Sequence, residues 1–118
     1  MSASEITRID PIGRLSKVVV VNGGVYLSGL TSRNKELDVK VQTADILKQI
    51  EEYLEKAGSS KERLIRVNIW LNNIDDFDAM NSVWDTWVNK DHQPARATVE
   101  SRLAAGGNLV EMMATAVV

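Results

Sequence analysis

The chain has 118 residues, with 14 Lys and Arg against 16 Asp and Glu, one His, no Cys and 44% apolar residues. That length bounds it to one domain, 1–118, whose core buries about two-thirds of the unfolded surface without disulfide or metal staples. A net charge of −2 with scattered cations offers no basic block for a run of phosphates, and the Cys and His counts exclude disulfide frameworks, thiol nucleophiles and multi-histidine metal sites. The start, MSASEITRID, is polar. No apolar run approaches the roughly 20 residues of a membrane span, so a cytoplasmic chain is expected.

Residues 4–9 (SEITRI) and 17–21 (KVVVV) read as strands, and Asn22-Gly23-Gly24 is a tight-turn signal leading into a further strand over 25–29. Residues 31–38 are polar and aperiodic, a loop. Ala44, Leu47, Ile50, Leu54 and Ala57 then recur at helical spacing, and Gly58 is placed to end that helix. From Leu64 to Leu71 the chain alternates, which predicts a strand with Ile65, Val67, Ile69 and Leu71 on one face. Asp75 or Asp76 can cap a second helix, whose stripe of Phe77, Met80, Trp84, Trp87 and Val88 reads as plain core.

Arg96–Ser101 and Leu109–Val118 close the chain as two extended segments suited to a terminal hairpin. The order β-β-β-α-β-α-β-β predicts an α+β fold, a mixed sheet with two helices on one face. The last strand is apolar on one face through Val110, Met112, Ala114, Ala116 and Val118. Its other face, Leu109, Glu111, Met113, Thr115 and Val117, is also mostly apolar. Two helices cover only one side of a sheet, so the second side is expected to bury against another copy in a closed oligomer, the alternative being a sheet packed under a loop.

Alternation places Arg96, Thr98 and Glu100 together, with Ala97 and Val99 opposite on the expected core side. A hairpin centred between Ala104 and Ala105 would set Thr98 against Glu111 and Arg96 against Met113, making Arg96 and Glu111 diagonal neighbours. A buried Arg–Glu pair can be a mere ion pair, at little net gain over apolar residues. Equally, an Arg fork grips a carboxylate bidentately and a nearby Glu can hold water or take a proton, which describes a pocket for a small carboxylic acid. His92 lies in a polar connection and reads as ordinary surface, so Ser28 and Thr98 have no identifiable base for nucleophilic catalysis.

Nearly the whole chain resembles the Rid (reactive intermediate deaminase, RidA or YjgF) family. The resemblance rests on Ile12-Gly13, Tyr26-Leu27-Ser28-Gly29, Asp76-Phe77 to Asn81, Pro94-Ala95-Arg96-Ala97-Thr98-Val99-Glu100, and Glu111 fifteen residues after Arg96. It implies a chorismate-mutase-like fold, a homotrimer with clefts between subunits, and cofactor-free hydrolysis of 2-imino acids or enamines such as 2-aminoacrylate to 2-oxo acids and ammonia. By the same resemblance Arg96 would grip the substrate carboxylate and Glu111 would activate water. Ser28, Gly29 and Thr98 would line the cleft, and Asn81 matches a family asparagine near the site. Leu15 stands where the archetype carries a tyrosine, and Thr98 where many members carry cysteine, which places the chain in a divergent subgroup. The alternative is a non-catalytic 2-oxo-acid-binding, regulatory or chaperone-like trimer. Ribonuclease activity, attached to some relatives, would want a basic groove and a histidine pair that this sequence lacks.

Overall fold

The structure, a computed structural model, describes residues 5–118. Strands β1 (Thr7–Pro11), β2 (Ser16–Val21) and β3 (Gly24–Leu27) form an antiparallel meander, followed by the two-residue β4 (Leu30–Thr31). Helix α1 (Val39–Lys56), strand β5 (Leu64–Leu71), helix α2 (Phe77–Trp87), strand β6 (Ala95–Glu100) and strand β7 (Val110–Val117) complete it. The sheet order is β1-β2-β3-β7-β5-β6, with β4 also pairing β7, and both helices lie over one face. No helix among the described residues is long and apolar enough to cross a membrane.

Local chemistry explains most elements. Asn22 and Gly23 take positive φ values of 51° and 77°, the two left-handed residues that a tight turn matched to strand twist requires. The Asp38 side chain accepts hydrogen bonds from the Lys40 and Val41 amides and so starts α1. The most deeply buried part of the core is Val18, Val25, Leu27, Leu30, Ile46, Leu47, Ile50, Leu54, Val67, Ile69, Leu71, Met80, Val110, Met112, Ala114 and Ala116, with Val39, Tyr53, Leu64 and Trp84 around it. Val110, Met112, Ala114 and Ala116 supply the buried side of β7 as expected, while Val118 is exposed.

Several expectations are corrected. The first strand begins at Thr7 rather than at residue 4, which lies outside the described residues. Ala44 is exposed, and Gln42, Thr43, Ile46 and Tyr53 join Leu47, Ile50 and Leu54 on the buried side of α1. Gln42 is tolerated there because its amide donates to the Glu36 and Gly107 carbonyls at 2.8 Å each and accepts from the Leu109 amide at 2.9 Å. A register irregularity between Leu64 and Arg66 turns Leu64 into the core and leaves Ile65 exposed. Asn73, not Asp75 or Asp76, provides the side-chain cap ahead of α2, accepting from the Asp75 amide in a single 3-10 turn over Ile74–Asp76.

The largest correction concerns the terminal hairpin, which does not form. β5 lies between β6 and β7, pairing parallel with β6 (Val67 beside Arg96, Ile69 beside Thr98) and antiparallel with β7 (Trp70 beside Glu111). β5-α2-β6 is thus a parallel crossover unit. Because Val67 and Ile69 face the helices, Arg96 and Thr98 do too. Ala97 and Val99, expected on the core side, lie on the open face, where Val99 is 49% exposed.

Candidate functional site

Phe77, Asn81 and Trp84 sit at positions i, i+4 and i+7 of α2 and therefore form one stripe along the helix. Arg96 enters beneath that stripe from β6. Its Nη1 donates to Asn81 Oδ1 at 2.8 Å, and its Cζ lies 5.0 Å from the Trp84 ring centroid and 5.9 Å from that of Phe77. Asn81 thus holds Arg96, a positioning contact. Met80 and Trp84 are buried, as a core stripe requires, while Phe77 stays partly open.

Arg96 is half-buried and forms no salt bridge among the described residues, where the three ion pairs are Arg33–Glu52, Lys56–Asp10 and Lys61–Glu51. Burial lowers its guanidinium pKa from the ordinary value, with the charge of Asp85 opposing that shift. The group is therefore a desolvated cation with one neutral hydrogen-bond partner, a state that an incoming carboxylate relieves. Two residues along the same side of β6, the Thr98 hydroxyl is buried without a hydrogen-bond partner among the described residues.

A second group assembles around Glu111. β3 and β4 both pair with β7, but the register slips by one residue between Tyr26–Thr115 and Leu30–Met112, so the residues between carry a bulge. Gly29 lies in that bulge directly against Glu111, and a side-chain carbon at 29 would run into the carboxylate oxygen Oε2. Ser28, beside it, donates its amide to Lys17 O at 2.9 Å, while its hydroxyl is buried and has no partner among the described residues. Glu111 lies level with Thr31 on one side and Trp70 on the other, on the open face.

Of the residues singled out in the sequence, the fold brings together Arg96, Asn81 and Thr98, and separately Ser28, Gly29 and Glu111. The expected diagonal contact of Arg96 with Glu111 within one chain is overturned, since the two stand on opposite faces and two strands apart. Leu15 joins neither group. It is exposed in the turn between β1 and β2, and β1 and β6 are opposite edges of the sheet. His92 is exposed in the connection after α2. The rings of Phe77 and Trp84 beside Arg96 were not anticipated, although their seven-residue spacing with Asn81 between them was a visible signal.

The open face carries Tyr26, 48% exposed, together with Val99, Met113 and Val117, and a recess of about 210 Å³ lined by Asn68, Ile69, Trp70, Ala97 and Val99. Such a contiguous apolar patch has the character of an interface.

The Endoribonuclease L-PSP family model matches residues 5–118. The RutC family protein YoaB of Escherichia coli strain K12 is 41% identical over 113 residues, covering 96% of this chain and 98% of the relative. A RutC family protein of Haemophilus ducreyi is 37% identical over 113 residues, covering 96% and 97%. A solved YjgF family member from Neisseria meningitidis superposes with a TM-score of 0.93 at 40% identity, covering 96% of this chain and 94% of that one. With the arginine, asparagine and glutamate arranged on this fold, the chain belongs to the Rid family, whose members are also described as YjgF, RutC and L-PSP proteins.

Proposed function

We propose that the chain hydrolyses reactive 2-imino acids and their enamine tautomers to 2-oxo acids and ammonia, in clefts between the subunits of a homotrimer. The observation that carries this reading is Arg96, a half-buried guanidinium without a carboxylate, held by Asn81 and flanked by Trp84 and Phe77. Since Glu111 lies on the opposite face of its own chain, the glutamate that meets the substrate comes from a neighbouring protomer, packed through the open apolar face. The trimeric state rests on the family resemblance.

In this reading the Arg96 fork fixes the carboxylate and thereby sets the position of the imine carbon. Glu111 takes a proton from a water whose oxygen bonds to that carbon, and the proton is returned to nitrogen, giving a carbinolamine. Loss of the hydroxyl proton then restores C=O as the C–N bond breaks, and the nitrogen, having gained the two water protons, leaves as ammonia. An enamine first moves one proton from its nitrogen to its terminal carbon, giving the imine. The Ser28 and Thr98 hydroxyls, both lacking partners, supply hydrogen bonds to the water or the nitrogen. The chemistry needs no covalent nucleophile, since free imines already hydrolyse in water.

The test is release of 2-oxo acid and ammonia from imines generated in place by an amino acid oxidase. Wild type should accelerate release, and Arg96→Ala should abolish the acceleration while remaining assembled. Arg96→Lys should lose on the order of 100-fold, because an ammonium lacks the planar fork. Undiminished turnover in assembled Arg96→Ala refutes the site. A carboxylate-binding trimer without catalysis is the second reading, favoured by the Arg96 group being complete within one protomer. It predicts binding of 2-oxo acids with no acceleration of hydrolysis. A ribonuclease reading lacks support, because the one histidine, His92, is exposed and has no second histidine to pair with as acid and base.

A further inference from the structure

β6 presents Arg96, Thr98 and Glu100 to the α2 side at two-residue steps. Arg96 reaches Asn81 in the middle of α2, and Glu100, at the other end of the same row, accepts from the Ile74 amide at 2.9 Å just ahead of that helix. Ile74 to Asn81 covers about 11 Å along the helix and Arg96 to Glu100 about 13 Å along the strand, so α2 runs back beside β6 with two ties at matching separation. The amides after Ile74 are held locally, Asp75 by the Asn73 side chain, Asp76 by the Asn73 carbonyl and Phe77 by the Ile74 carbonyl. Among the described residues Glu100 alone accepts from the Ile74 amide, and it forms no ion pair with Arg96.

We infer that Glu100 is a positioning residue for the carboxylate grip: by tying the start of α2 to β6 it fixes the three α2 side chains that aim the Arg96 guanidinium. These are Phe77, with its ring centroid 5.9 Å from Arg96 Cζ, Asn81, which accepts from Nη1, and Trp84, with its centroid at 5.0 Å. All three project from one helix, so a shift at its start is carried to each of them. Met80 and Trp84 are buried and hold α2 down on the sheet, but apolar packing is non-directional and leaves the helix free to slide along β6. The hydrogen bond from Ile74 to Glu100 removes that freedom. Glu100 itself is exposed, so losing the tie returns the Ile74 amide to water at little cost to the fold and is felt at the guanidinium instead.

This inference rests on the reading of Arg96 as the carboxylate grip, and the experiment separates the two. In the assembled protein, kcat and KM are measured for the alanine-derived imine, beside pyruvate affinity by calorimetry and the thermal midpoint. The variants are Glu100→Ala, Glu100→Gln, Asn81→Ala and the double Glu100→Ala, Asn81→Ala. Glu100→Ala should lose about tenfold in kcat/KM, most of it in KM, with pyruvate affinity falling alike and the thermal midpoint within a few degrees of wild type. Glu100→Gln keeps an acceptor oxygen and should stay within about threefold of wild type. Because Glu100 acts through α2, its removal should cost little more once Asn81 is gone. If Glu100→Ala does not assemble, Glu100→Asp, one methylene too short to reach Ile74, carries the comparison. Unchanged KM and pyruvate affinity in Glu100→Ala, an equal loss in Glu100→Gln, or losses that add in the double variant overturn the positioning role and leave the deaminase reading standing. Pyruvate affinities in the expected order without hydrolysis support the positioning role and overturn the deaminase, whereas a wild type that neither binds nor hydrolyses overturns both.

Discussion

Replacing Gly29 by alanine isolates the contribution of Glu111 from the stability of the fold. Gly29 is not among the residues with positive φ, so alanine fits the backbone, and loss of chain entropy in the unfolded state should leave the protein as stable as wild type or slightly more so. The added methyl cannot coexist with Oε2 of Glu111, while the next nearest atoms, Cδ at 3.3 Å and Cγ at 3.7 Å, stand close to ordinary contact. Only the end of the side chain has to move. Restoring normal contact displaces the carboxylate by about 1 Å, and misplacing a catalytic group by that much costs on the order of 100-fold, or about 3 kcal/mol in the barrier. The assay is kcat/KM for imine hydrolysis beside the thermal midpoint, in wild type, Gly29→Ala, Glu111→Gln and the double variant. If the methyl acts through the carboxylate, Gly29→Ala should lose little further activity in the Glu111→Gln background. A folded, assembled Gly29→Ala enzyme working within threefold of wild type would refute the placement of Glu111 beside the reacting water.

Other substitutions probe the groups that the fold leaves unpaired or clamps. Thr98→Val removes a buried hydroxyl with no partner, so the thermal midpoint should hold or rise, whereas kcat/KM should fall by about tenfold if that hydroxyl meets substrate or water. Thr43→Val removes a similar orphan in α1, away from the site, and should leave turnover unchanged. Gln42→Ala strands the Leu109 amide and two carbonyls, and should cost about 2–4 kcal/mol in denaturant unfolding. Burial raises the Asp45 pKa, but hydrogen bonds from the Arg33 amide, Gln49 and Ser32 outweigh it and hold the carboxyl below its ordinary value of 3.8. A depressed carboxyl stabilises the fold above its unfolded value and loses that contribution as pH falls through the folded one. Asp45→Asn should therefore lower the thermal midpoint at pH 7, and the gap to wild type should close as pH falls below about 4. A gap independent of pH would assign the effect to shape rather than charge.

Element type was legible in the sequence because it depends on short-range periodicity, whereas most of the candidate site residues were named by resemblance to a family. Alternation along 64–71 and 110–117, helical spacing in 44–57 and 77–88, and the Asn22-Gly23 turn each express which side chains share a face. Alternation sorts residues into two sets without saying which set faces the helices, and that is where Arg96 and Thr98 were placed on the wrong side. At Ile65 the same logic failed because one irregular residue pair exchanges the faces of everything before it.

Strand neighbours were decided only by the tertiary structure. The loop between β6 and β7 carries glycines and suits a hairpin, yet β6 follows α2 and lies parallel to β5, where Arg96 meets the α2 stripe. That pairing leaves β7 in the interior of the sheet, between β3 and β5. It also separates Arg96 from Glu111, so that the expected intrachain pair becomes two groups of polar side chains on opposite faces. Residue chemistry therefore named Arg96 and Glu111 as candidates, whereas the order of strands, a long-range property that no local pattern encodes, determined that the two cannot meet within one chain.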